Sequence, residues 1–153
     1  MNNQAIYVLS AKQISLQQPL SEAWMTHPER PSAPFVRSID PSYKAYVPPM
    51  EARRMGPILK RSIAVSAEAL KEAAITSPDA VITGTGYGCI ENTELFLDPL
   101  CKEGESLLKP TCFMQSTHNT VGAQIAIRNH CHAYNVTYAH KHISFDSALY
   151  DAN

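Results

Sequence analysis

Pro110–Ala152, PTCFMQSTHNTVGAQIAIRNHCHAYNVTYAHKHISFDSALYDA, decides how the chain is read. Three elements follow one another in it. From Thr117 to Asn129, apolar Val121, Ile125 and Ile127 alternate with small Gly122, Ala123 and Ala126, a pattern for a closely packed buried helix. Asn135 to Ala139 (NVTYA) is β-branched or aromatic and reads as a strand. Ser144 is placed to cap a last helix, with Phe145, Ala148, Leu149 and Ala152 at helical spacing on one side. The turn His140-Lys141-His142-Ile143 joins that strand to that helix. In α/β proteins such turns carry chemistry, because a helix start aims free N–H groups at a ligand. His142 at this corner is therefore the residue to explain.

The stretch resembles the β-ketoacyl synthases of the thiolase fold, over the part that leads into their nucleophile. Asn119, Ala123, Ile125, Ala126 and Ile127 fall on that family's helix pattern without a gap. Ala133-Tyr134 stands for its Gly-Pro turn, and Val136 to Ala139 for its strand. On that alignment the nucleophilic cysteine falls on His142. Arg53-Arg54-Met55 before an alanine-rich helix is a second point of likeness, with Gly56 where the family usually has Asp. Gly86, Gly88, Ile90 and Glu91 match a Gly-rich turn of the family, with Cys89 replacing a glycine.

The resemblance implies an α/β fold: the N-terminal half of a thiolase-like architecture, a mixed sheet with packed helices. It also implies roles. A condensing enzyme needs a thiolate at a helix start, groups that drive decarboxylation, and an oxyanion hole. His142 supplies no thiolate, an imidazole does not hold an acyl group as a stable thioester, and the chain stops within the nucleophile helix. The resemblance thus points to a non-condensing partner like the chain-length factors, of the kind accompanying aryl-polyene pigment pathways. Its partner would be a catalytic ketoacyl synthase or a second copy, joined through strand 136–139, an exposed β-branched edge needing cover. Acyl carrier protein would be met through that assembly. Tyr87 would gate the acyl pocket and Asn119 would mark a buried helix start. No cofactor is implied.

Elsewhere the residues speak for themselves. A length of 153 residues suits a single domain with a real core. The net charge of −1 gives no footprint for nucleic acid or an anionic membrane surface. The opening MNNQAIYVLSA is too polar for a signal peptide, and no apolar run has membrane length. Cys89, Cys101, Cys112 and Cys131 follow no disulfide spacing, so a cytoplasmic protein with reduced thiols is expected.

Ala5 to Leu9 reads as a first, buried strand, and Ser10 to Glu22 as a loop with a helical turn. Residues 28–49 carry Pro28, Pro31, Pro34, Pro41, Pro48 and Pro49, which make them a surface excursion with Trp24, Phe35, Tyr43 and Tyr46 as contact points. It either wraps the domain or reaches a partner. Pro57 to Ala74 is an amphipathic helix with Leu59, Ile63, Ala67, Leu70 and Ala74 on one face. Ala80 to Thr83 is a strand. The loop Gly84-Thr85-Gly86-Tyr87-Gly88 after it lacks the spacing of a phosphate loop. Glu91 to Leu107 is helical, with Leu95, Phe96, Leu100 and Leu107 toward the core.

Two other chemistries are weighed. His130, His132, His140 and His142 fall in i, i+2 pairs that could hold zinc or copper on extended backbone. Alternatively, Cys112 or Cys131 beside a histidine would make a thiol enzyme. Against both stand the commoner roles of these residues, as surface histidines and small packed thiols.

Overall fold

The structure, a computed structural model, describes residues 6–153, excepting the side chains of residues 106 and 107. In chain order the elements are α1 (Pro49–Ala52), α2 (Pro57–Glu72), β1 (Ala80–Gly84), α3 (Ile90–Glu103), α4 (Pro110–Met114), α5 (Thr120–Arg128), β2 (Tyr134–Tyr138) and α6 (Ser144–Asp151). Short 3-10 turns lie at Ala23–Met25, Tyr43–Ala45, Gly104–Leu107 and Lys141–Ile143.

Two strands make the described sheet. β1 and β2 pair in parallel, Ala80 opposite Tyr134 through Gly84 opposite Tyr138. The segment between them is a long helical crossover, the kind of connection parallel strands require. A mixed sheet was expected; among the described residues no antiparallel strand joins this pair.

The period of two sorts the strand residues between two helices. On one face Val81 packs with Ala126 and Cys131, and Thr83 and Asn135 lie under Gly122 of α5. On the other face lie Gly84, against the start of α6, and Tyr134, whose hydroxyl reaches Asp151 at 3.4 Å. α2 then covers α5. Leu59 and Ile63 from α2 join Val121, Cys89, Met55 and Val47 in the main core, with Tyr46 and Ile125 at its margin. Pro57 starts α2 at its first turn, where the missing N–H costs nothing.

Several expectations change. Residues 6–9 form no strand and are exposed, Val8 by 83%. Among the described residues no strand pairs with them, and an apolar run needs an accepting edge to become a strand. Ala5 lies outside the described residues. α2 ends at Glu72, and Ala74, now beyond it, turns to positive φ and is exposed. α5 is shorter than expected at both ends, and Ile127 faces outward. In α3 the buried residue is Asn92, which donates to the carbonyl and side-chain oxygens of Gln115 at 3.2 Å each. Leu95 is exposed, Phe96 and Leu100 are half-buried, and the Leu107 side chain lies outside what is described. Phe96 meets Phe113 of α4 instead, with ring centroids 5.3 Å apart.

The proline-rich excursion lies against α2 and is pinned there. Arg61 donates to both carboxylate oxygens of Asp40, at 3.0 and 3.2 Å, and the Tyr46 hydroxyl donates to Glu68 at 3.0 Å. Val47 enters the core. That is the wrapping arrangement. No described helix is long and apolar enough to cross a membrane.

Candidate functional site at the carboxyl ends of the strands

Three turns meet where β1 and β2 end. Thr85 N–H extends the ladder by one bond, donating to the Tyr138 carbonyl at 2.9 Å. Past that point β1 runs into the glycine loop 84–88, and β2 into the turn 140–143. The third turn, 117–119, leads into α5. Ligands of open α/β sheets settle at this end of the strands.

Close backbone contacts hold the three turns. A Cβ on Gly84 would stand 2.5 Å from the Ser144 carbonyl oxygen and 2.9 Å from the Phe145 Cα, so only glycine lets the first turn of α6 rest on the end of β1. Gly88 has φ +56° and would bring a Cβ within 3.0 Å of His118. The Thr85 hydroxyl accepts the Gly88 N–H at 2.9 Å and closes that loop. Thus the glycine loop touches the 117–119 turn and the first turn of α6, which directly follows 140–143.

The corner itself is built by Ser144. Its hydroxyl accepts the His140 N–H at 2.8 Å and donates to the Lys141 carbonyl at 2.8 Å. It was expected to cap α6; instead it is the first residue of the helix and ties the preceding turn. The reason is local: Lys141 takes positive φ, which folds 140–143 back within reach of the hydroxyl. His140 also faces the Ser147 hydroxyl at 3.5 Å.

His142 lies in the 3-10 turn between β2 and α6 and is exposed. Tyr87 is 79% exposed on the glycine loop. Asn119 precedes α5 as its N-cap, makes no capping bond, and is exposed where a buried position was expected. Its neighbour Thr120 is buried instead, bonded to Thr117 at 3.0 Å, because α5 presents its first residue to the core. The fold therefore brings the three turns together while leaving all three side chains open to solvent. No hydrogen bond joins them among the described residues.

The thiols and histidines are arranged for neither alternative chemistry. All four cysteines are free. Cys89, at the start of α3, is buried, and burial together with nearby Glu91 pushes its thiol up, away from a reactive thiolate. Cys131 is a core residue, and Cys112 is half-buried in α4. Among the described residues no three histidine, cysteine or carboxylate side chains gather as a metal site, so His130, His132, His140 and His142 do not form one. β2 ends before His140 and begins after His132, so neither pair lies on the extended backbone that would aim both imidazoles alike.

Residues 24–153 match the sequence profile of the β-ketoacyl synthase N-terminal domain. This chain belongs to the β-ketoacyl synthase family. Among solved structures it is similar to a chain of a ketosynthase (ApeO) in complex with its chain length factor (ApeC) from Xenorhabdus doucetiae. The TM-score is 0.72 at 20% identity, over 92% of this chain and 57% of that one. No curated protein sequence matches. The likeness shows the fold, the N-terminal part of a thiolase-like ketosynthase, and the chain spans little more than half of the solved chain it matches.

Sequence reasoning missed two features. Gly84 was read as part of a loop, although a glycine ending a strand is the signal for a close backbone approach. A cationic groove of about 430 Å³ was not foreseen at all. Lys44, Arg53 and Lys60 line it beside Tyr43, with Lys60 Nζ 5.8 Å from the Tyr43 ring centroid. No carboxylate lines it, and the nearby acids Asp40 and Glu51 are paired with Arg61 and Arg128. Spread over the chain, these cations leave no pattern in the sequence.

Proposed function

We propose that this chain is a non-condensing, chain-length-factor-like subunit acting in cytoplasmic fatty-acid or polyketide-type synthesis, aryl-polyene synthesis included. One observation carries the reading. An exposed imidazole, His142, occupies the strand-to-helix corner onto which the family's nucleophilic cysteine aligns. Carbon–carbon bond formation from a stored acyl group needs a thiolate there, and the corner offers none. In this reading Tyr87 gates the acyl path and Asn119 marks the start of α5.

The surface supports an assembly. β2 pairs only with β1 among the described residues, so its outer edge is open for a strand of a condensing synthase or of a second copy. α6 adds exposed Phe145 and Leu149 one helical turn apart. The groove of Lys44, Arg53 and Lys60 suits an acidic carrier protein delivering acyl chains.

The test has two arms. Incubated with an acyl thioester, the native chain should gain no acyl mass, and the His142→Cys variant should gain one acyl group. Co-expressed with a full-length condensing synthase, the chain should co-purify stoichiometrically. Acylation of the native protein at His142, or condensation by the chain alone, would overturn the reading.

A further inference from the structure

A second cleft lies far in sequence from the corner, within residues 13–39, and nothing in the proposed role uses it. These residues form a closed clasp. The Gln17 side chain donates to the Glu29 carbonyl at 2.7 Å and accepts the Glu29 N–H at 2.7 Å. Ile39 N–H donates to the Ser15 carbonyl at 2.7 Å, and Leu20 N–H to the Gln13 carbonyl at 3.0 Å. Both ends are fastened to α2, through Lys12 with Glu72 and through Asp40 with Arg61. A loop tied in this way holds its shape better than its irregular backbone suggests.

The clasp encloses a cleft of about 520 Å³, a size usual for small-molecule sites. Leu16, Trp24, Val36 and Ile39 give it apolar surface, and Arg30 and Arg37 give it charge. Neither guanidinium has an ion-pair partner among the described residues, unlike Arg61 and Arg128. The buried Nε1 of Trp24 has no hydrogen-bond partner, an expensive state for an N–H donor. Glu29 also lines the cleft. Two guanidiniums against one carboxylate leave a single positive charge in excess, so the complement is a monoanion with an apolar body.

We infer that this cleft binds a carboxylate carried on a short alkyl chain. The carboxylate lies between Arg30 and Arg37, which bind carboxylates as forks, and the chain lies on Trp24 and Leu16. This inference does not rest on the reading of the corner.

Trp24 is the protein's one tryptophan, so its fluorescence reports this cleft specifically. Titration with octanoate should give a saturable change, matched by equilibrium dialysis at one molecule per chain. Octanol and acetate should bind about tenfold more weakly or worse, since each loses one half of the recognition. Octylamine should not bind. Arg30→Gln and Arg37→Gln should each weaken octanoate about tenfold with unchanged circular dichroism, because both arginines are exposed. The inference fails if octanol binds as well as octanoate, if the double variant binds octanoate unchanged, or if dialysis finds no octanoate bound. Octyl phosphate binding more tightly than octanoate would overturn the choice of a carboxylate.

Discussion

α2 and α6 carry the same kind of apolar pattern and meet opposite fates. In α2, Leu59 and Ile63 are buried almost completely against α5 and the excursion. In α6, the equivalent pair Phe145 and Leu149 stand 71% and 61% exposed, and only small Ala148 and Ser144 turn inward. The difference lies in what covers each helix. α2 has a neighbouring helix and a proline-rich strap; α6 has a sheet of two described strands on one side only. An apolar helix face states a need for cover without stating that the same chain supplies it.

The sharpest way to break that comparison is truncation on the covered side. Leu59→Ala should cost about 2–5 kcal/mol, since the cavity it leaves is walled by Val47, Ile63 and Val121. Urea unfolding measures it. A loss under about 1 kcal/mol would show α2 to be as loosely held as α6.

Gly84→Ala comes next. The added methyl meets backbone atoms of Ser144 and Phe145, which cannot swing aside as a side chain could, so α6 must shift off β1. About 1–3 kcal/mol should be lost. Protection of the α6 amides in hydrogen exchange should fall more than that of α2.

On the uncovered side, Phe145→Ser with Leu149→Ser should change the stability of the isolated chain by no more than about 0.5 kcal/mol. The same double variant should lose capture by a condensing synthase. Were stability to fall as far as for Leu59→Ala, α6 would be covered after all.

The smallest effect tests the strap over α2. Partial burial pushes the Asp40 carboxyl up, but hydrogen bonds from Arg61 and Ser38, the nearby Tyr43 hydroxyl and the Arg61 charge together outweigh it and hold the carboxyl below its ordinary range. A depressed folded pKa means stability present above the unfolded value of about 4 and lost as pH falls through the folded one. The melting temperature of the native chain should therefore drop below about pH 4, and Asp40→Asn should flatten that limb. At neutral pH the variant should lose no more than about 1 kcal/mol, because the ion pair is partly solvated. At the alkaline end, burial and the Asp40 charge push the Tyr43 phenol up to about 12. Absorbance titration should find one of the seven tyrosines ionising that late, and stability contributed by the neutral phenol should decline between about pH 10 and that value.

Much of the architecture was legible because it is local. The spacing of Leu59 and Ile63 marks α2, the β-branched run marks β2, and the turn between β2 and α6 places His142 at a corner. The family pattern over Asn119 to Ala139 could be aligned without a gap for the same reason. The failures share a cause as well. Residues 6–9 have a strand's composition, yet pairing is decided by whatever edge stands beside them. Ile127 has the right period and faces outward, because the core side of α5 is set by Gly122 and Ala126 lying on the sheet. Asn119 marks a helix start in any sequence reading, but only packing decides that Thr120 is the residue turned inward.

By itself, then, the amino-acid sequence determined the order and type of most elements, the family, and His142 in the turn between β2 and α6. These depend on near neighbours along the chain, where periodicity and turn chemistry act. Only the tertiary structure decided that loops 84–88, 117–119 and 140–143 converge, that α6 stays uncovered, and that Lys44, Arg53 and Lys60 share one groove. Those outcomes are set by tertiary packing, and glycine at position 84 is what lets one of its contacts form, the seating of the first turn of α6 on the end of β1.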